Sequence, residues 1–320
     1  MHVLDLIASG AHQLTDAGVA FGHGTTNSHD EAAWLVLWRL GLPLDDLDGV
    51  AARAVTPEEA RAVDDLIAQR IVTRQPAAYL TREAWLQGLS FYIDERAIIP
   101  RSFIAELLVD GSIDPWLGAH TRRVLDLCTG NGSLAVIAAL AWPEVRVDGV
   151  DLSPEALEVA RINVARHQVQ DRVQLHISDG LAAVTGPYDL IVCNPPYVNT
   201  ASMATLPAEY RAEPPLALAG GADGMDFIRP LLRDAPSRMT ERAVLVLEIG
   251  NERAHFEAAF PRLEAVWLDT SAGEDQVLLL TREALVHGGD MSAAGPPQGA
   301  RAPSGGRKPH AVGGRGGDIP

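Results

Sequence analysis

Residues 124–140 read VLDLCTGNGSLAVIAAL. The apolar run up to Cys128 is short enough for a buried strand, and Ser133 onward has the length and composition of a helix. Between them Thr129-Gly130-Asn131-Gly132 makes the turn. Gly130 and Gly132 remove side chains where a backbone must pass close to a ligand. The turn is not a full G-x-G-x-x-G, because position 128 is Cys and position 135 is Ala. It also lacks the Gly-Lys-Ser/Thr of a P-loop.

A short glycine turn without a phosphate grip suits a ligand that carries no phosphate. S-adenosylmethionine is such a ligand, and its amino-acid end can meet the backbone amides of the turn, Cys128 to Gly132. Asp126, just before the turn, is the candidate to hold its ammonium group. The next strand ends VDGVDLSP, which puts Asp151 at a carboxyl end where a carboxylate can accept both ribose hydroxyls. The third strand ends HISDG, placing Asp179 to accept from the adenine amino group. These strand ends converge on the crevice where open α/β sheets bind ligands. The competing cofactor is NAD, which the departure from the dinucleotide fingerprint disfavours.

The most specific segment is YDLIVCNPPYV, residues 188–198. A fourth strand ends at Cys193, and Asn194-Pro195-Pro196-Tyr197 follows at its carboxyl edge. Two consecutive prolines fix the backbone and remove amide donors. The Asn194 side-chain oxygen and a backbone carbonyl of Asn194 or Pro195 can then accept both hydrogens of a planar NH₂ group. The Tyr197 ring can stack on its flat face. Such a grip answers a chemical need, since the lone pair of an amide or aniline-like nitrogen is delocalised and must be turned toward the methyl donor. These four residues are the candidate catalytic set.

Around these motifs strands and helices alternate. VRVDGVD and AVLVLEIG are further strands, and SPEALEVARINVARH is a helix opened by Ser153-Pro154. The pattern predicts a mostly parallel sheet covered on both faces. EAVWLDTSAGEDQVLLLT, by contrast, reads as a terminal hairpin, so one late strand should run antiparallel. Residues 1–75 read as a small helical bundle. A stripe through Leu4, Ile7, Ala8, His12 and Leu14 marks its first helix, and Thr56-Pro57-Glu58-Glu59 carries a helix-start signal. Around Gly88 the aromatic and β-branched residues of 79–100 predict a short hairpin, so 76–105 is read as a linker. The catalytic domain then covers 106–285. The Gly/Pro/Ser-rich stretch 286–320 reads as a disordered, dispensable tail.

Composition narrows the function classes. Of 320 residues, 47% are hydrophobic, so a large core can form, and the formal net charge is −16. An acidic body repels a phosphate backbone, so no sequence-specific nucleic-acid binding is expected, and a basic protein partner fits better. The two cysteines, Cys128 and Cys193, lack metal-ligand spacing and read as reduced thiols of a cytoplasmic protein, with no metal expected. The N-terminus has no signal-peptide pattern, and no apolar run approaches the roughly 20 residues that span a bilayer. Lys308 is the only lysine. A lysine base or Schiff base in the body of the protein is therefore excluded.

With the glycine turn, Asp151 and Asn194-Pro195-Pro196-Tyr197 in place, residues 1–285 resemble the class I methyltransferases with an NPPY motif. Within these, the chain is similar to the HemK-type N(5)-glutamine methyltransferases. The resemblance includes the helical N-terminal region, the hairpin, YDLIVCNPPYV and Glu248 to Asn251 (EIGN). It implies a Rossmann-like, seven-stranded sheet with an antiparallel last strand, S-adenosylmethionine held by the glycine turn, Asp151 and Asn194, and a glutamine amide gripped by Asn194 to Tyr197. One branch of the family methylates class 1 release factors, typically with a linker like LIPRPETE. Here residues 98–107 read IIPRSFIAEL, with Ser102 and Phe103 replacing the Pro-Glu/Asp pair. GHGTTNSHDEAAWLVLWRLGLPLD and PAEYRAEPPLALAGGADG are similar to the other branch, which methylates large-subunit ribosomal protein three. Nothing in spacing or charge separates the two substrates. Two further readings stay open: a methyltransferase for exocyclic amines of nucleic acid, and an inactive ribosome-assembly binding protein on the same fold.

Overall fold

A computed structural model describes residues 1–288. Two strands, β1 (Glu83–Leu86) and β2 (Leu89–Tyr92), form a hairpin. Its turn residues Gln87 and Gly88 have φ of 50° and 74°, the left-handed pair that a tight two-residue hairpin turn demands. Seven strands build the main sheet: β3 (Arg123–Leu127), β4 (Arg146–Asp151), β5 (Val173–Ile177), β6 (Tyr188–Cys193), β7 (Met239–Glu248), β8 (Val266–Thr270) and β9 (Gly273–Thr281). Their order is β5-β4-β3-β6-β7-β9-β8. β3, β4, β5, β6 and β7 pair in parallel, while β9 runs antiparallel to both β7 and β8. The fold is thus the α/β, Rossmann-like sheet with an antiparallel last strand that the sequence predicts.

The apolar runs VLDL, YDLIVC and AVLVLE are nearly continuous because both faces of the central strands are covered. Val124, Leu190, Val192, Val244, Val246 and Leu279 lie in one core with the helix Ser133–Ala141. Ser153 caps the helix Pro154–Arg166, its hydroxyl accepting from the Ala156 amide. The chain proceeds outward from β3 through β4 to β5, then returns to β6 on the other side of β3. That reversal opens a crevice at the carboxyl ends of β3 and β6.

The helical N-terminal region contains Val3–Asp16, Ser28–Arg39 and Pro57–Thr73. Thr56 and Glu59 form a reciprocal capping box with Pro57 in the first turn. The first helix buries Val3, Leu6, Ile7, Gly10 and Leu14, not the stripe expected through Leu4, Ala8 and His12. Leu4 is exposed, because the periodic pattern fits two neighbouring phases and only the packing against Ala32 and Ile67 selects one.

The hairpin is fastened to the catalytic sheet by Asn163. Its side chain accepts from the Tyr92 amide at 2.7 Å and donates to the Tyr92 carbonyl at 2.9 Å and the Asn131 carbonyl at 2.8 Å. One buried amide thus satisfies backbone groups of the hairpin and of the glycine turn together. At the other end, the helix Arg282–Gly288 carries ordered structure past the domain boundary expected at residue 285. The rest of the tail, 289–320, lies outside the described residues. Among the described residues no helix is long and apolar enough to cross a membrane.

Candidate active site

A cavity of about 370 Å³ opens at the carboxyl edge of the sheet. Cys128 and Gly130 enter it from the end of β3, Asp151 and Leu152 from β4, and Asp179 and Gly180 from β5. Asn194, Pro195, Pro196 and Tyr197 enter from β6, and Gly250 and Asn251 follow β7. Asp151, Asp179 and Asn194, singled out in the sequence, therefore share one cavity, and the NPPY corner stands beside the glycine turn.

The glycine turn divides into two sets. Cys128 and Gly130 face the cavity, with φ of 62° and 55°. Thr129, Asn131 and Gly132 anchor the turn from behind. Asn131 donates to the Ile98 carbonyl at 2.7 Å and accepts from the Ser133 amide at 3.0 Å. Gly132 has φ of 80°, and a Cβ there would sit 3.0 Å from Ala160 Cβ, so its bareness serves helix packing. Asp126 does not reach the cavity. It is fully buried, accepting from the Thr129 hydroxyl at 2.5 Å and the Ala135 amide at 2.9 Å. Burial pushes its pKa up to about 7 against those two hydrogen bonds. The expectation that Asp126 meets a ligand ammonium therefore gives way to a prop beneath the turn, because the strand directs its side chain into the helix-covered face.

Asp151 ties two strand ends together. Oδ2 accepts from the Gly130 amide at 2.8 Å and Oδ1 from the Ser153 amide at 2.9 Å. Burial raises its pKa, and these amides oppose the rise. Asp179 is exposed at the cavity rim. Among the described residues, no hydrogen bond engages the Asn194 side chain or the carbonyls of Asn194 and Pro195, so these acceptors are free to face a ligand.

Tyr197 is held from behind. A Cβ at Gly250 would lie 2.5 Å from its ring, and its hydroxyl stands 3.5 Å from Glu248 Oε1. Burial, then the Glu248 charge, raises the pKa of that phenol. Glu248 is itself buried, and Oε2 accepts from the Ser102 hydroxyl at 2.6 Å and the Phe103 amide at 2.9 Å. Burial lifts this carboxyl to about 7.

Several wall residues had no signature in the sequence. Ile98 and Arg101 come from the linker, Tyr210 and Leu216 from the excursion between β6 and β7, and Phe227 from just before the helix Ile228–Asp234. The stretch 207–224 carried a resemblance but no recognisable chemistry. The one available hint was the spacing of Glu209 and Glu213, two acids four residues apart.

The groups at the cavity fit an S-adenosyl ligand: the bare backbone of Cys128 and Gly130 at a glycine turn, a carboxylate at the second strand end, and Arg96 and Arg101 as the cations among the described lining residues, both already paired with carboxylates. A seven-stranded sheet of this order, with the glycine turn and an Asn-Pro-Pro-Tyr corner sharing one cavity, defines an S-adenosylmethionine-dependent methyltransferase. Residues 106–209 match the family model described as methyltransferase small domain. The chain is 55% identical over 284 residues to the ribosomal protein uL3 glutamine methyltransferase of Bordetella pertussis, covering 88% of this chain and 95% of that one. It is 50% identical over 288 residues to the protein of the same name from Burkholderia pseudomallei, covering 87% and 94%. A solved ribosomal protein L11 methylase from Lactobacillus delbrueckii subsp. bulgaricus is 20% identical with a TM-score of 0.39, over 57% of this chain and 79% of that one. The chain belongs to the family of ribosomal protein uL3 glutamine methyltransferases.

Proposed function

We propose that this enzyme methylates the side-chain amide nitrogen, N5, of a glutamine in large-subunit ribosomal protein uL3, free or in an assembly intermediate, in the cytoplasm. The amide reading is carried by one observation: the Asn194 side chain and the Asn194 and Pro195 carbonyls stand unengaged at the cavity, next to the glycine turn. The choice of uL3 rests on the names of relatives that match nearly the whole length of the catalytic and helical regions.

Bound S-adenosylmethionine supplies an electrophilic methyl group on a sulfonium. The protein binds it through the backbone at Cys128 and Gly130, the Asp151 carboxylate toward the ribose, and Asp179 toward the adenine amino group. Asn194 and Pro195 accept both amide N–H groups, so the nitrogen lone pair is turned toward the donor. Tyr197 lies against the flat face of the amide. Holding acceptor and donor in line can contribute on the order of 7–11 kcal/mol. Acceptors already in place stabilise positive charge growing on nitrogen without reorganisation. No strong base is required, because the proton on the methylated nitrogen is acidic enough to leave to water.

Residues 1–75 form the substrate-recognition region in this reading, 76–105 the linker and 106–285 the catalytic domain. The cavity admits an amide, so the surrounding protein must be recognised elsewhere. The test supplies purified enzyme and labelled methyl donor to purified uL3 and to lysate from a strain lacking the enzyme, with mass spectrometry of the labelled species. Label on a uL3 glutamine is the expected result. Label in a release factor would overturn the substrate choice, and label in nucleic acid would overturn the amide reading.

A further inference from the structure

The segment 206–218 lines the cavity through Leu206, Tyr210, Pro214 and Leu216, and it is fastened through two buried carboxylates. Glu209 faces Arg70 and Arg74, each at 3.4 Å, and Arg70 also binds Glu31 at 2.8 Å. Glu213 is 1% exposed and is shared more tightly. Its Oε1 accepts from the Ile99 amide at 3.0 Å and from Arg101 Nη1 at 2.6 Å, and its Oε2 accepts from Arg101 Nη2 at 2.7 Å. His23 Nε2, from the helical region, stands 3.4 Å from Oε2. Tyr210 packs between these groups: its ring centroid is 4.2 Å from that of His23 and 5.6 Å from the Arg101 guanidinium carbon. Gly22 is bare where the Tyr210 hydroxyl lies, since a Cβ there would come within 2.3 Å of it. Arg101 and Tyr210 both line the cavity.

Such a cluster is costly to bury. Removing one member leaves an uncompensated charge, while replacing a buried pair by apolar groups of similar size is often neutral for stability. A stability role is therefore a weak account of why Arg101 and Glu213 are paired at a cavity wall.

We propose that Glu213 is a positioning residue for methyl transfer. Through the bidentate fork of Arg101 and the packed Tyr210 ring it fixes the wall that faces the acceptor amide, and His23 of the helical region packs on that ring. This rests on the glutamine reading above. The fork and the Tyr210 ring act on the wall that faces the acceptor, while the Ile99 amide links Glu213 to Ile98, whose carbonyl takes Asn131 of the glycine turn.

The test uses the full-length enzyme and purified uL3. Melting temperature, the dissociation constant for S-adenosylmethionine by calorimetry, and kcat and KM are measured for Glu213→Gln, Arg101→Lys and the paired variant Arg101→Met with Glu213→Leu. The paired variant keeps the experiment decisive should Glu213→Gln fail to fold, since it removes the Arg101 and Glu213 charges together and orphans only the Ile99 amide and the His23 ring. The expected result is a folded paired variant that loses about 100-fold in kcat, the loss that a displacement of about 1 Å at a reacting centre produces, with a far smaller change in its affinity for S-adenosylmethionine. Arg101→Lys keeps the charge but not the fork, and should fall between the two. A folded paired variant with wild-type kcat overturns the assignment. Cofactor affinity falling in step with kcat also overturns it, because a general structural role would do that. Wild-type enzyme run in parallel separates the two readings: a wild type that leaves uL3 unmethylated overturns the glutamine reading, and this inference with it.

Discussion

Ser102 donates its hydroxyl to Oε2 of Glu248 at 2.6 Å, and the other oxygen of that carboxyl faces the Tyr197 hydroxyl at 3.5 Å. The linker position that departs from the release-factor pattern thus touches the group standing behind the tyrosine of the NPPY corner. A proline at 102 has no hydroxyl to offer, and Glu248 would lose one of its two close donors.

Glu248 and Asp126 set the sign of one pH effect. Both carboxyls are buried, and burial holds both near 7, above their ordinary values of 4.5 and 3.8. The folded protein therefore retains protons that the unfolded chain releases. Stability from these groups is present below their unfolded values and is lost as pH rises toward about 7. Each group contributes a loss on the order of 1–3 kcal/mol. Urea denaturation of wild type and of Asp126→Asn with Glu248→Gln, at about pH 5 and about pH 7, should show the slope flattened in the double variant. An unchanged slope would remove both carboxyls from this role.

Asn194→Ala should lower kcat by about 100- to 1000-fold, the usual cost of removing one preorganised polar group at a developing charge. The side chain holds no other part of the described structure, so the melting temperature should stay at the wild-type value. Turnover retained in this variant would take Asn194 out of the mechanism.

Asp151→Ala removes a carboxylate that accepts two backbone amides and is proposed to face the ribose. Charge-assisted hydrogen bonds of this kind contribute about 1.5–3 kcal/mol each. Calorimetry should show S-adenosylmethionine binding weakened by roughly 10- to 100-fold. An unchanged dissociation constant would contradict the proposed ribose contact.

Gly250→Ala places a methyl 2.5 Å from the Tyr197 ring, at a position with φ of 52°. The ring must move into the cavity or turn. The expected outcome is a drop in kcat of about tenfold or more with cofactor affinity retained. A variant with wild-type kcat would show that the exact placement of Tyr197 does not matter.

Much of the fold was legible because it is written in local pattern. The Thr56–Glu59 capping box, the turn at Gln87-Gly88, the alternation of strand and helix, and the antiparallel hairpin of β8 and β9 each follow from a few adjacent residues. The phase of the first helix was not legible, since Leu4 and Leu6 are equally apolar and only the neighbouring helices choose between them. In the site, chain order alone brought Asp151, Asp179 and Asn194 to strand ends, and all three line one cavity. Asp126 does not line it, because its side chain turns to the Thr129 hydroxyl and the Ala135 amide, partners that only the folded turn and helix bring to it.

The order of the elements, the glycine turn and the NPPY corner are properties of the sequence by itself, since each is fixed by the backbone limits and apolar spacing of contiguous residues. The wall that meets the acceptor is a product of tertiary structure. Arg101 and Glu213 lie 112 positions apart, and Ser102 and Glu248 lie 146 apart. An arginine or a glutamate carries no local mark of its partner: any of the chain's many opposite charges would serve equally in extended form. Folding alone brings one pair into a space from which water is excluded, where leaving either charge unmatched is too costly.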